Sequence, residues 1–370
     1  MERRIFLLGT AGAAQTAFSQ GAGDRIGTAM IGTGSRGSGV LKGILEQPGV
    51  RVTALCDIKP DRLDSAASAA ARDNPATEKD WRKVIERKDV EAVYVTTPPY
   101  LHSEMAIAAL KAGKHVYCEK PIGVTPEQVR ELVKVARESK KVFHCGQQMR
   151  SFKQMGQAIE KIRQGAIGDV VMVKAQRHAT ADHPHDASSA DWYFNDAKSG
   201  GFLIEQSVHN LDACNWAIGN HPLRGAGFGG TLIYKNDPPS RDIMDSSSLT
   251  FEYPNGVHMT FTQNVFHPRG LPSPNQNIYV YGTEGAVDLL NGTNLYLRGS
   301  QNAELTPLAP KQEEPPHEHT AVFFNCIRTG AKSNADIVVG ATAALTAIMG
   351  HDACLKKKII NWSDFGIDLG

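Results

Sequence analysis

The first half of the chain alternates short apolar runs with amphipathic stretches, the pattern of parallel strands joined by helices. The runs are 26–31, 50–56, 90–95, 115–118 and 141–145. Helical segments are predicted between them: one near Val40, Leu41, Ile44 and Leu45, and one from Ser103 to Ala112 that Gly113 stops. A third opens at Thr125-Pro126-Glu127-Gln128, with Thr125 as N-cap, Pro126 at the first helical position and Gln128 completing a capping box. Its Val129, Leu132, Val133 and Ala136 give one buried face.

The period changes beyond Gly165-Ala166-Ile167-Gly168. Residues 170–175, 248–253, 258–263, 278–281 and 295–298 read as strands, and Asn255-Gly256 is a hairpin signal, so a largely antiparallel sheet is expected. A late helix over 337–354 covers core, and the Pro/Glu-rich stretch 307–316 reads as an exposed connection. The fold class is α/β: an N-terminal Rossmann-type doubly wound parallel sheet over 26–147, then an α+β domain over 148–370 with a large, mostly antiparallel sheet.

Composition narrows the function classes. The 370 residues favour two domains, and 41% hydrophobic content is ample for buried cores. A net charge of +1, with no basic tract longer than Lys356-Lys357-Lys358, argues against a nucleic-acid partner. The six cysteines stand far apart without a Cys-x-x-Cys, which points to buried thiols and leaves occasional pairing open. Residues 1–25 differ: Arg3-Arg4 precedes a mildly apolar, Gly/Ala-rich stretch, a layout that resembles a twin-arginine export signal. That layout predicts cleavage after Ala17-Phe18-Ser19 or a little later and a periplasmic protein; a leader that does not function would leave it cytoplasmic. No later stretch reaches the roughly 18 to 20 uninterrupted apolar residues of a membrane span.

The chemistry concentrates at strand ends. Gly32-Thr33-Gly34-Ser35-Arg36-Gly37 follows the first strand and opens a helix, the required place for a G-x-G-x-x-G fingerprint. The glycines allow a tight turn, close approach of a pyrophosphate, and helix–strand packing. Asp57 ends the second strand 20 residues beyond Gly37, where a carboxylate accepts hydrogen bonds from a ribose and repels a 2'-phosphate. A dinucleotide is therefore expected, NAD ahead of NADP, with Arg36, Lys59 and Arg62 softening that preference. Glu119-Lys120-Pro121 closes a further strand and puts an ammonium at the carboxyl edge of the sheet, where open α/β folds bind ligands.

Taken with Thr97-Pro98-x-x-x-His102, Gly113-Lys114-His115-Val116 and Gly200-Gly201-x-Leu203-x-Glu205-x-x-x-His209-x-x-Asp212, these motifs resemble the Gfo/Idh/MocA family (glucose-fructose oxidoreductase, inositol dehydrogenase, rhizopine catabolism) over residues 26–370. The resemblance implies Lys120 beside nicotinamide and substrate, Thr97, Pro98, His102 and Glu119 near the cofactor, and a sheet face used for oligomer contacts, a homodimer or homotetramer. Glu205-Gln206-Ser207 departs from the family's usual Asp and small glycine before the His, which puts substrate class and reaction outcome in doubt.

On the helix after Gly200-Gly201, Glu205, His209 and Asp212 fall at i, i+4 and i+7, so a carboxylate is expected to hydrogen-bond His209 from each side. An imidazole held in this way is a general base at neutral pH; a solvated polar face or a capped core histidine is the alternative. Arg177, His178, Trp192 and Tyr193 either line a sugar site, with Asp212 nearby, or pack structurally. His183-Pro184-His185-Asp186 lacks a defined third ligand, so no metal is expected, and His317 and His319 read as exposed. The leading expectation is an NAD-dependent oxidoreductase of a sugar, polyol or related carbohydrate, with Lys120, His209 and Glu205 as its catalytic residues. The alternatives are a glycoside-cleaving enzyme that oxidises, eliminates and reduces with no net redox, and a non-catalytic sugar sensor.

Overall fold

The computed structural model describes residues 25–179, 189–300 and 306–369. Residues 1–24 of the expected 1–25 leader and the His183–Asp186 cluster lie outside them. The first sheet is built from β1 (Ile26–Ile31), β2 (Val50–Cys56), β3 (Ala76–Glu78), β4 (Ala92–Val95), β5 (His115–Cys118) and β6 (Phe143–Cys145). All are parallel, in the order β3-β2-β1-β4-β5-β6, so the direction of winding reverses between β1 and β4. Strands β4 and β6 are buried at every position because helices cover both faces, which is why they read as continuous apolar runs.

The second sheet has nine strands: β7 (Val170–His178), β8 (Arg224–Gly230), β9 (Ser246–Glu252), β10 (His258–Asn264), β11 (Gln276–Gly282), β12 (Gly285–Asp288), β13 (Asn294–Leu297), β14 (Thr306–Pro307) and β15 (Ile360–Asn361). Their order is β14-β13-β12-β11-β7-β10-β9-β8-β15, antiparallel throughout except for the parallel pair β7–β10. Alternation of buried and open positions along β9 and β10 follows from one covered face. Asn255 and Gly256 take positive φ in the turn between them, as the hairpin reading requires.

The helix Ile337–Lys356 ties the two sheets together, packing on β8, on the helix Val208–Ile218 and on the helix Pro126–Glu138. By length and composition it could cross a membrane, but 72% of its most apolar window is buried inside the protein, so its apolarity serves the core. Gly340 lets it approach Cys145, where an added Cβ would lie 3.1 Å from the cysteine Sγ. The helix Glu318–Thr329 also returns to the first sheet, placing Phe323 and Phe324 in one cluster with Met30, Leu41, Tyr94 and Tyr117. His319, expected to be exposed, is therefore buried, with its Nδ1 3.0 Å from the Tyr117 hydroxyl.

Two further local expectations are tested by hydrogen bonds. Thr125 caps its helix by accepting from the Gln128 N–H. Gln128 does not close a box onto the cap residue; its Oε1 accepts from the Val124 N–H at 2.8 Å and its amide donates to the Tyr100 carbonyl. All six cysteines are free and buried.

Candidate active site

A cleft of about 420 Å³ runs along the carboxyl edge of the first sheet and is closed on its far side by the second half of the chain. At one end Gly32, with φ of +91°, makes the turn after β1; a Cβ there would lie 2.7 Å from the Thr96 carbonyl oxygen. The helix Ser35–Leu45 starts at once, and no side chain caps it, so its first N–H groups remain available to an anion. Gly34 leaves room at this turn, where the Arg62 guanidinium lies 3.0 Å from the position a Cβ would take. Asp57 fastens the turn: its Oδ2 accepts from the Thr33 N–H at 2.7 Å and hydroxyl at 3.1 Å, and its Oδ1 from the Lys59 N–H. An uncapped helix start, a glycine cradle and a carboxylate at the end of β2 fit a dinucleotide.

The reacting end lies beyond β5. Buried Glu119 receives Arg36 Nε at 2.7 Å and Gln148 Nε2 at 3.2 Å. Burial is the largest influence on this carboxyl and raises its pKa, but the charges of Arg36 and Lys120 outweigh it and hold the pKa below the usual range. Arg36, expected at the cofactor, both lines the cleft and carries out this pairing. The Lys120–Pro121 peptide is cis. His102 lies beneath it, between the two loops, with one ring nitrogen 2.7 Å from the Pro121 carbonyl oxygen and the other 2.7 Å from that of Thr97; its single N–H donates to one of them.

From the other half, Glu205 Oε1 accepts from Lys120 Nζ at 2.9 Å, and the Glu205 carbonyl accepts from the same ammonium. The expected carboxylate–histidine–carboxylate stripe does not form. The first helix ends at Glu205, Gln206 and Ser207 interrupt it, and a second runs from Val208 to Ile218. Beyond this break Asp212 points to Arg150, whose Nε and Nη2 donate to it at 2.9 and 2.8 Å. His209 Nδ1 instead lies 2.9 Å from Gln147 Oε1. That contact makes Nδ1 the protonated nitrogen and leaves Nε2 as the basic one. Burial above all, then the charges of Lys120 and Arg177, press the His209 pKa well below its ordinary value, so the ring is uncharged at neutral pH.

The cleft thus gathers Gly32, Gly34, Ser35, Arg36, Asp57, Thr97, Pro98, His102, Glu119, Lys120, Arg177, Trp192, Glu205 and His209. Gly37 packs the helix start against the Gly32 carbonyl, Tyr193 is buried behind Trp192, and Asp212 lies outside the lining. Sequence reasoning missed Gln147 and Arg150, and named Gln206 only as part of a departure from the family pattern, without a role. Gln147 closes β6 as Lys120 closes β5, so the strand-end argument could have found it.

This sheet, with its glycine turn, acidic second strand and lysine–histidine cleft, defines a dinucleotide-dependent enzyme. Residues 26–147 match the oxidoreductase family with an NAD-binding Rossmann fold, and residues 155–288 match the GFO/IDH/MocA C-terminal domain. The chain belongs to the Gfo/Idh/MocA family, and its cofactor is NAD. It is 30% identical over 268 residues to the 2,7-anhydro-N-acetylneuraminate hydratase of Mediterraneibacter gnavus, covering 71% of this chain and 67% of that one. It is also 30% identical over 200 residues to a glycosyl hydrolase family 109 protein of Stenotrophomonas maltophilia, 50% of this chain and 43% of the relative. Levoglucosan dehydrogenase in complex with NADH and levoglucosan shares the fold, with a TM-score of 0.77 at 20% identity over 91% of this chain and 99% of that one.

Proposed function

We propose that the protein is an NAD-dependent oxidoreductase acting on a hydroxyl of a sugar, polyol or related carbohydrate. The observation that carries this reading is the convergence of Lys120 and His209, from different halves of the chain, on the cleft that begins at the glycine turn. Bound NAD supplies the hydride acceptor. Lys120 has three N–H donors; Glu205 engages it through two acceptors, which aims a third at a substrate oxygen. Neutral His209 takes the hydroxyl proton on Nε2, with Gln147 holding the tautomer. Glu205 therefore orients the lysine, where sequence reasoning had it orient the base. The test is to release and identify the nucleotide from purified protein, then screen carbohydrates for absorbance of the reduced nicotinamide. Failure of every carbohydrate to reduce the cofactor or to turn over would sink the reading.

A second reading, oxidation followed by elimination and re-reduction with no net redox, is favoured by the hydratase and glycosyl hydrolase family 109 relatives. A chromogenic glycoside that releases its leaving group without accumulating NADH would select it over simple dehydrogenation. Export through the Arg3-Arg4 leader and a homodimer or homotetramer complete the proposal. Mass spectrometry of the N-terminus from a periplasmic fraction, and light scattering of the purified protein, check these two points.

A further inference from the structure

Among the described residues, Arg177 is a cation at the substrate end of the cleft with no carboxylate in hydrogen-bond contact. It stands on β7, lines the cleft with Lys120 and His209, and makes no ion pair among the described residues. Its partners are neutral amides: Nη1 donates to Gln276 Oε1 at 2.7 Å and Asn210 Oδ1 at 3.3 Å, and Nη2 donates to Gln206 Oε1 at 2.8 Å. Its Nε is buried with no acceptor among the described residues. Three of five N–H donors are used, and what remains lies along the Nε–Nη2 side of the guanidinium.

The neighbouring charges do not cancel it. Glu205 is engaged by Lys120, and its second oxygen accepts from the Gln206 amide, whose own oxygen accepts from Arg177. A relay therefore runs Lys120–Glu205–Gln206–Arg177, with two cations and one carboxylate. Burial is the main cause of the lowered Arg177 pKa and outweighs the opposing charge of Glu205, and Arg177 in turn depresses His209. A half-buried guanidinium held in place by three amide oxygens is a rigid fork, matched in shape by a planar carboxylate.

Resting on the carbohydrate reading above, we propose that Arg177 binds a carboxylate carried by the substrate, which makes the substrate an acidic sugar. The departure at Glu205-Gln206-Ser207 gains a purpose, since Gln206 both holds Arg177 and secures Glu205. Neutral sugars would leave the guanidinium uncompensated.

The test compares matched pairs on NAD-loaded protein by calorimetry: D-glucuronate with D-glucose, D-galacturonate with D-galactose, and N-acetylneuraminate with its methyl ester. At least one acid should bind roughly tenfold to a hundredfold tighter than its neutral partner, the range of a charge-assisted hydrogen bond. Arg177→Gln should bring the pair to parity while NADH affinity, read by fluorescence, stays unchanged. If Arg177→Gln loses NADH binding through misfolding, Arg177→Lys takes its place and should keep a reduced preference for the acid. Equal binding within every pair, an acid preference that survives Arg177→Gln, or a stronger preference for D-glucose 6-phosphate would overturn the assignment. Neutral sugars bound or oxidised without acid preference leave the carbohydrate reading standing and remove only this one; binding of neither class removes both.

Discussion

Gln147 Oε1 and His209 Nδ1 stand 2.9 Å apart across the junction of the two halves, and this contact selects the imidazole nitrogen that carries the proton. Gln147→Leu leaves Nδ1 without an acceptor and frees the tautomer, so kcat should fall by about 100-fold with little change in NADH binding. Gln147→Glu adds a carboxylate beside Nδ1. The opposite charge favours the imidazolium, raises the His209 pKa, and should move the acid limb of the kcat–pH profile upward. A limb that stays in place in Gln147→Glu would remove His209 from the role of base.

Lys120 and Glu205 form a mostly buried pair. Lys120→Met should lower kcat by about 100-fold or more, and Glu205→Gln should raise KM and lower kcat less, because the ammonium stays but is aimed poorly. Steady-state kinetics of the two single variants and the double variant check this, with strong non-additivity expected.

Asp57 holds the glycine turn through Thr33 before any ribose arrives. Asp57→Ala should weaken NADH binding by roughly tenfold or more, the loss of charge-assisted hydrogen bonds, and narrow the NAD over NADP preference. Fluorescence titration with both cofactors measures the two effects together.

Asp212 left the active site to pair with Arg150, and the guanidinium also lies 4.7 Å over the Trp216 ring. Asp212→Ala strands a buried charge and should cost about 3–5 kcal/mol in urea unfolding. Replacing both partners by apolar residues should recover much of that loss.

His351 lies within 2.8 Å of Asp196 Oδ1. Burial, the largest single influence, lowers its pKa, but Asp196 and Asp352 together raise it to about 9. A raised folded-state pKa means stabilisation that is complete below the unfolded value of 6.5 and lost as pH climbs through about 9. The slope should amount to at most about 3 kcal/mol and should flatten in His351→Gln, as denaturation at pH 6, 7.5 and 9 would show.

The cofactor half was legible because its signals are local. A strand, Gly32-Thr33-Gly34 and a helix are contiguous, and Thr125 caps where its neighbours predict. Strands β8, β12 and β15 were not: β8 is Arg224-Gly-Ala-Gly-Phe-Gly-Gly230, whose glycines read as loop, and the other two are short. The site was half legible. Period alone put Glu205, His209 and Asp212 on one face, but nothing in the 3.6-residue repeat announces the break at Gln206. Arg177 could be named from its chain position, yet its environment comes from Gln206, Asn210 and Gln276, the last 99 residues away on the neighbouring strand β11.

Phe323 and Phe324 complete the core under β1, β4 and β5, and Cys145 on β6 donates its N–H to the Ala335 carbonyl. During synthesis the nucleotide-binding sheet therefore emerges before the helix that seals it and stays unsealed until Glu318–Thr329 has also been made. Loading with dinucleotide becomes a late event in the life of the nascent chain, and a truncation before the helix Glu318–Thr329 would disable the cofactor half while leaving every one of its motifs intact.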